Sequence, residues 1–205
     1  MTDFGCALFS ALGGLFLIGV VLLIRVARRY ERGRIDYVAK LNGWSLESGN
    51  VPGSWIAKGE QAGVAWEMRG RPSARRRFAQ TEWRTKRATG DVTVFAGPRP
   101  PAFLEGALTA FKGKLLEGIG ANEADAAAAE FIEMPTDTLL VATNQADAAR
   151  AWLEGLEGEV ALLRPRIVRY RDEIRVGLGQ EARDAKTAEA LVALGVALAK
   201  RAGET

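Results

Sequence analysis

The sequence predicts an α+β fold: an N-terminal transmembrane helix followed by a mainly antiparallel sheet with packed helices. Residues 4–24 form an apolar run without a charge, which predicts the membrane helix. Strand-like segments with alternating apolar residues come in pairs joined by short turns, and the last segment has the period of an amphipathic helix. Because the strands form hairpins instead of alternating strictly with helices, an antiparallel sheet is favoured.

The apolar run FGCALFSALGGLFLIGVVLLI contains 21 residues. As a helix rising about 1.5 Å per residue it would extend roughly 31 Å, close to the hydrocarbon thickness of a bilayer. No basic residue precedes the run, and RVARRY follows it where a signal peptide would carry a cleavage site of small residues. An uncleaved anchor is therefore predicted in preference to a signal peptide.

The chain becomes basic directly after the anchor, in residues 25–43, which are predicted to form a juxtamembrane helix. The residues assigned to topology and to contact with anionic lipids are Arg25, Arg28, Arg29, Arg32 and Arg34. The positive-inside rule places this segment in the cytoplasm. We therefore expect a single-pass protein of the cell inner membrane, with its N-terminus outside and residues 44–205 forming a cytoplasmic domain.

Small residues recur every four positions in the anchor, at Cys6, Ser10 and Gly14. Such a stripe lets two membrane helices approach closely, which predicts a homodimer or another membrane protein as partner. The alternative is that these residues only reflect the frequency of small side chains in membrane helices.

The domain is expected to contain three hairpins. The predicted strands are 54–58, 64–69, 81–87, 91–96, 131–134, 137–143, 166–170 and 173–178, and the first two, the next two and the last two are paired. Trp55 and Trp66 are expected to share one face. The predicted helices are 102–120, 122–130, a helix capped by Asn144 that continues to Val160, and 182–201 with a stripe at Thr187, Leu191, Leu194 and Leu198.

Composition excludes most common catalytic chemistry. The chain contains no histidine, and its one cysteine lies in the apolar run. Mechanisms that use a histidine base, a cysteine nucleophile or thiolate metal ligands are therefore absent from the domain. Carboxylates are plentiful but show no specific metal-binding spacing, and no phosphate-binding glycine motif is present. No enzymatic activity, metal or cofactor is predicted.

The first half of the chain is basic: residues 1–100 hold 16 Lys and Arg against 8 Asp and Glu, whereas residues 101–205 hold 12 against 17. A possible anion-binding patch consists of Arg71, Arg75, Arg76 and Arg77. Neighbouring aromatic residues would permit stacking on nucleic-acid bases, but no recognition motif is present, so anionic lipid is favoured over nucleic acid.

Several segments carry a resemblance to known proteins: Gly43-Trp44, GEQAGVAWEM, and DTLLVATNQADAARAWLEGLEG followed by RIVRYRDEIRVGL. The chain resembles uncharacterised bacterial single-pass inner-membrane proteins with an N-terminal anchor and a cytoplasmic α+β domain. The resemblance implies the architecture only, since those proteins have no assigned activity.

Together, these observations predict a non-catalytic, membrane-anchored interaction or scaffold module, such as an accessory subunit of a larger inner-membrane complex. Two alternatives remain open. One is binding of nucleic acid or anionic lipid through the basic half, and the other is small-ligand sensing through a pocket of tryptophans. The five tryptophans are Trp44, Trp55, Trp66, Trp83 and Trp152.

Overall fold

The structure is a computed structural model. It describes residues 16, 18–22, 35–72, 80–86, 90–99, 116, 123–134, 139–182 and 184–203. Within these ranges, no helix is both long enough and apolar enough to cross a membrane. Most of the predicted anchor and the predicted basic segment up to residue 34 lie outside the described residues, although residues 16 and 18–22 are described as helical.

Within the described residues, nine strands form a single sheet in which every neighbouring pair is antiparallel. The strands are β1 Ser45–Ser48, β2 Trp55–Gln61, β3 Val64–Arg71, β4 Gln80–Lys86, β5 Val94–Pro98, β6 Glu130–Ile132, β7 Leu139–Thr143, β8 Arg166–Tyr170 and β9 Glu173–Leu178. Their order across the sheet is β1-β2-β3-β4-β9-β8-β5-β7-β6. The antiparallel sheet and the α+β class are thus confirmed.

The described helices of the domain are α1 at residues 35–41, α2 Glu123–Ala128, α3 Ala146–Leu153, α4 Glu157–Leu163 and α5 Ala185–Ala202. Helix α5 lies on one face of the sheet, where it contacts β3, β4 and β9 as well as α3 and α4. It begins where the Asp184 side chain accepts a hydrogen bond from the Thr187 N–H. In the predicted stripe, Leu191, Leu194 and Leu198 are buried, whereas Thr187 is half-buried.

Tryptophans packed against glycines form the core beneath α5. The indole of Trp83 lies on Gly195 of α5, and the indole of Trp55 lies on Gly70 of the neighbouring strand, at sites where a Cβ would come closer than 3.0 Å. Trp55 and Trp66 face the same buried side, as predicted. Each indole buries a large apolar surface because its partner residue has no side chain.

The predicted hairpin between residues 81–87 and 91–96 is wrong. Strand β4 pairs with β3 and β9, while β5 lies between β7 and β8. In β5, Val94, Phe95 and Ala96 are all buried, whereas β4 alternates buried and half-exposed residues. A strand with apolar residues on both faces is stable where both faces of the sheet are buried. A strand that alternates buried and exposed residues suits the part of the sheet with one solvent-exposed face.

Asn144 does not cap a helix, contrary to the prediction. Its side-chain amide donates to the Asp91 carbonyl at 2.7 Å, and its side-chain oxygen accepts from the Thr93 N–H at 2.8 Å. The helix begins after Gln145, and the predicted continuous helix is divided into α3 and α4 near Gly155, whose φ is 70°. Asn144 therefore forms long-range hydrogen bonds to the segment before β5 instead of capping the helix that follows it.

Candidate functional site

One row of residues runs across the sheet, and its side chains change from charged to apolar halfway. From β2 to β6 it reads Lys58, Glu67, Arg84, Arg175, Val168, Phe95, Ala142 and Phe131. The apolar half packs into a second buried cluster that includes Leu116 and Ala129. The charged half faces away from α5 and is half-exposed to solvent. The same face of one sheet is therefore a core on one side and an exposed surface on the other.

We call the charged half of this face, on strands β2, β3, β4 and β9, the open face. Its members point away from the tryptophan core because side chains alternate along each strand. The residues are Ile56, Lys58, Glu60, Ala65, Glu67, Arg69, Arg71, Gln80, Glu82, Arg84, Lys86, Glu173 and Arg175.

Glu67 is the centre of the ion pairs on the open face. It accepts a hydrogen bond from the Arg69 Nε on its own strand, and one of 2.9 Å from an Nη of Arg84 on the next strand. Partial burial would raise the pKa of Glu67, but the Arg69 hydrogen bond and the charges of Arg84 and Arg69 outweigh it and lower that pKa. Glu67 is therefore held ionised and fixes the direction of two guanidinium groups.

Two further ion pairs lie beside this centre. Lys58 contacts Glu47 of the edge strand at 3.0 Å, and the Arg175 Nε lies 3.1 Å from a carboxylate oxygen of Glu173. Lys86 is exposed and forms no ion pair with any described residue. Glu47, Glu67 and Glu173 are thus each matched to a cation, whereas Lys86, Glu60 and Glu82 form no ion pair within the described residues.

Two depressions indent the open face. The larger depression, of about 500 Å³, is lined by Lys58, Ala65, Trp66, Glu67, Arg84, Thr85, Lys86 and Glu173. The smaller one, of about 120 Å³, is lined by Gly49, Asn50, Val51, Ser54, Trp55, Ile56, Arg69, Gly70 and Arg71, and we call it the loop pocket. Three cations and two acids line the larger depression, whereas the described lining of the loop pocket contains two arginines and no acid.

The arrangement suits recognition of charged groups. No cluster of three or more potential metal ligands occurs among the residues described. The hydroxyl of Ser54, which lines the loop pocket, donates to the Val51 carbonyl at 2.6 Å and accepts from the Val51 N–H, so it serves the local turn. What the open face offers a ligand is a set of oriented guanidinium and ammonium groups.

Only one residue of the predicted sites is described. Arg71 ends β3 on the open face, is exposed, and lies opposite Gln80. The remaining predicted site residues lie outside the described residues: Arg25, Arg28, Arg29, Arg32, Arg34, Cys6, Ser10, Gly14, Arg75, Arg76 and Arg77. Sequence reasoning missed the cluster of Glu67, Arg69 and Arg84. The signal in the sequence is that charged residues recur at every second position on two adjacent predicted strands, because residues with this spacing share one face of a strand.

The tryptophans occupy packing positions. Trp83 and Trp152 have no exposed surface, and the Trp152 Nε1 donates to the Leu198 carbonyl at 2.9 Å. The guanidinium of Arg169, itself buried, lies 5.2 Å from the centre of the Trp152 ring, and burial lowers the pKa of this arginine. Trp44 meets Trp66 edge to face at 5.0 Å. These contacts account for the tryptophans as core residues.

The chain was compared with protein-family models, with curated proteins and with solved structures, and none of the three comparisons gave a match.

Proposed function

We propose that this chain is a non-catalytic, membrane-anchored interaction module whose open face binds an acidic segment of a partner membrane protein at the cytoplasmic surface of the inner membrane. The single observation that carries the proposal is the open face: a half-sheet of exposed and half-exposed, oriented charges in a chain without histidine. An enzyme of this composition would have to operate with carboxylates, lysine or tyrosine alone.

Exposed apolar residues near the N-terminus support the membrane part of the proposal. The side chains of Phe16, Ile18, Val21 and Leu22 are 73%, 59%, 50% and 54% exposed, and all four residues are helical. They lie in the charge-free run. Exposure to water costs about 25 cal/mol per Å² of apolar surface, and hydrocarbon removes that cost.

The anchor and its direction can be tested with single cysteines, because Cys6 is the only native one. In a Cys6→Ala background, we expect Thr2→Cys to react with a membrane-impermeant maleimide on intact bacterial cells. Thr205→Cys should react only after the membrane is permeabilised. Recovery of the chain in the soluble fraction, or labelling of Thr205→Cys in intact cells, would contradict the anchor or its direction.

Charge complementarity supports an acidic partner segment. In the larger depression Glu67 and Glu173 are already neutralised within the chain, while Lys86 has no described acidic partner. A carboxylate entering beside Lys86 and Arg84 would be attracted by both cations, and opposite-charge contacts of this kind govern partner choice and association rate.

The partner site can be tested by charge reversal. Lys86→Glu should lower the yield of a partner that copurifies at fixed stoichiometry in mild detergent by about tenfold, because it places repulsion in the contact. Lys200→Glu is the matched control, since Lys200 is also exposed but lies on α5, away from the open face. Equal loss in both variants, or no loss in either, would refute the open face as the contact surface.

A further inference from the structure

We infer that the loop pocket is a binding site for a phosphate group, with Arg69 and Arg71 as its ligands. This inference goes beyond the proposed function and does not depend on it. Phosphate chemistry could come from the headgroup of an anionic lipid or from a soluble phosphate compound, and both present the same charged oxygens to the arginines.

The charge of the loop pocket favours an anion, and its size admits a phosphate group. The described lining of the loop pocket has two arginines and no acid, unlike the larger depression. Its volume of about 120 Å³ is well above the roughly 10–15 Å³ that a single water molecule requires, so the loop pocket has room for a phosphate group. Arginine is well matched to phosphate because its planar guanidinium can donate two parallel hydrogen bonds.

The two arginines are placed to act together. They are two positions apart on β3, so their side chains leave the same face roughly 6–7 Å apart along the strand. Arg69 contacts Glu67 through Nε, and its neighbour across the sheet is Glu82. Arg71 forms no ion pair within the described part of the chain, and its opposite neighbour Gln80 is neutral. The Arg69 guanidinium is thus oriented before a ligand arrives, and the Arg71 guanidinium forms no ion pair within the described residues.

The wall opposite the arginines is a preformed turn. The Gly49 N–H donates to the Ser54 carbonyl at 2.9 Å, and the Ser54 N–H donates to the Val51 carbonyl at 2.9 Å. A Cβ at Gly49 would lie 3.1 Å from the Cβ of Ser54, and Gly53 has a φ of 82°. Glycine at these two positions allows the tight turn, so the pocket is shaped before a ligand arrives.

The test uses the full chain in a neutral detergent and inorganic phosphate as the probe. Binding is measured by calorimetry against chloride at equal ionic strength. We expect Arg71→Ala to weaken phosphate binding by about tenfold or more, and Arg71→Lys to weaken it less, because lysine keeps the charge but loses the fork. Arg166→Ala is the control: Arg166 is exposed on β8 and, within the described structure, also forms no ion pair.

A second measurement identifies the source of the phosphate. The chain is placed in nanodiscs of phosphatidylcholine alone or with added phosphatidylglycerol, and inorganic phosphate is titrated again. Weaker phosphate binding in the anionic discs supports occupation by a lipid headgroup, and unchanged binding supports a soluble phosphate compound. The proposal is overturned if wild type binds no better than Arg71→Ala, or if Arg166→Ala loses as much. Because the detergent measurement needs no partner and no bilayer, its failure leaves the interaction module untouched.

Discussion

The two faces of strands β2, β3, β4 and β9 differ in the interactions of their side chains: one face is tightly packed and apolar, and the other is charged. The face under α5 packs indoles against glycines with no room for a methyl group, as at Gly70 and Gly195. The open face joins flexible charged side chains in pairs such as Lys58 with Glu47. Packing of the first kind is costly to disturb, whereas exposed ion pairs contribute about 0–1 kcal/mol each. Stability therefore resides in one face, which leaves the other free to bind.

The strongest test of this contrast is Gly70→Ala. In a strand, alanine would ordinarily be preferred to glycine, but here its Cβ would come closer than 3.0 Å to the indole of Trp55. We expect a loss of about 3 kcal/mol in the free energy of unfolding, measured in urea on the full chain in detergent by tryptophan fluorescence. Gly177→Ala is the matched control in β9, where the nearest atom would be 3.9 Å away. Equal effects of the two substitutions would refute tight packing on the covered face.

A smaller effect is expected at the helix. Gly195→Ala adds a residue that favours a helix by about 1 kcal/mol, yet its Cβ would lie 2.6 Å from Cε2 of Trp83. We expect the clash to win, with a net loss of about 1–2 kcal/mol in the same urea assay. Gly158→Ala in α4 meets nothing within 4 Å and should gain about 0.5–1 kcal/mol. A gain in both variants would mean that α5 can move away from the sheet at little cost.

Local patterns were sufficient to predict part of this fold. The β2–β3 and β8–β9 hairpins and the stripe of α5 follow from periodicity and short turns, and each is confirmed. Strand β1 is not among the predicted strands, because a four-residue edge strand with mostly exposed residues has little pattern. The place of β5 was also missed, because pairing between strands distant in sequence depends on the whole topology.

The candidate site was the less predictable part. Arg71 was identified from a run of basic residues, but its neighbour in the loop pocket, Arg69, was not. The turn at residues 49–54 becomes a wall of that pocket only because β2 and β3 pair in the observed register. The charges of Glu67 and Arg84 are distant in sequence and meet for the same reason. A single sequence marks which residues are charged, and the register decides which of them become neighbours.

The smallest expected effect concerns Glu67 on the open face. Its pKa is lowered in the folded chain, so its contribution to stability is present above the unfolded value of 4.5 and is lost as the pH falls through the folded pKa. We expect Glu67→Gln to cost less than about 1 kcal/mol at pH 7, since water still reaches Arg69 and Arg84 and can solvate them after the carboxylate is removed. The difference between wild type and variant should shrink toward zero as the pH is lowered below 4.5. Urea unfolding from pH 7 to pH 3 measures it, and a loss as large as that of Gly70→Ala would show that the open face also holds the fold together.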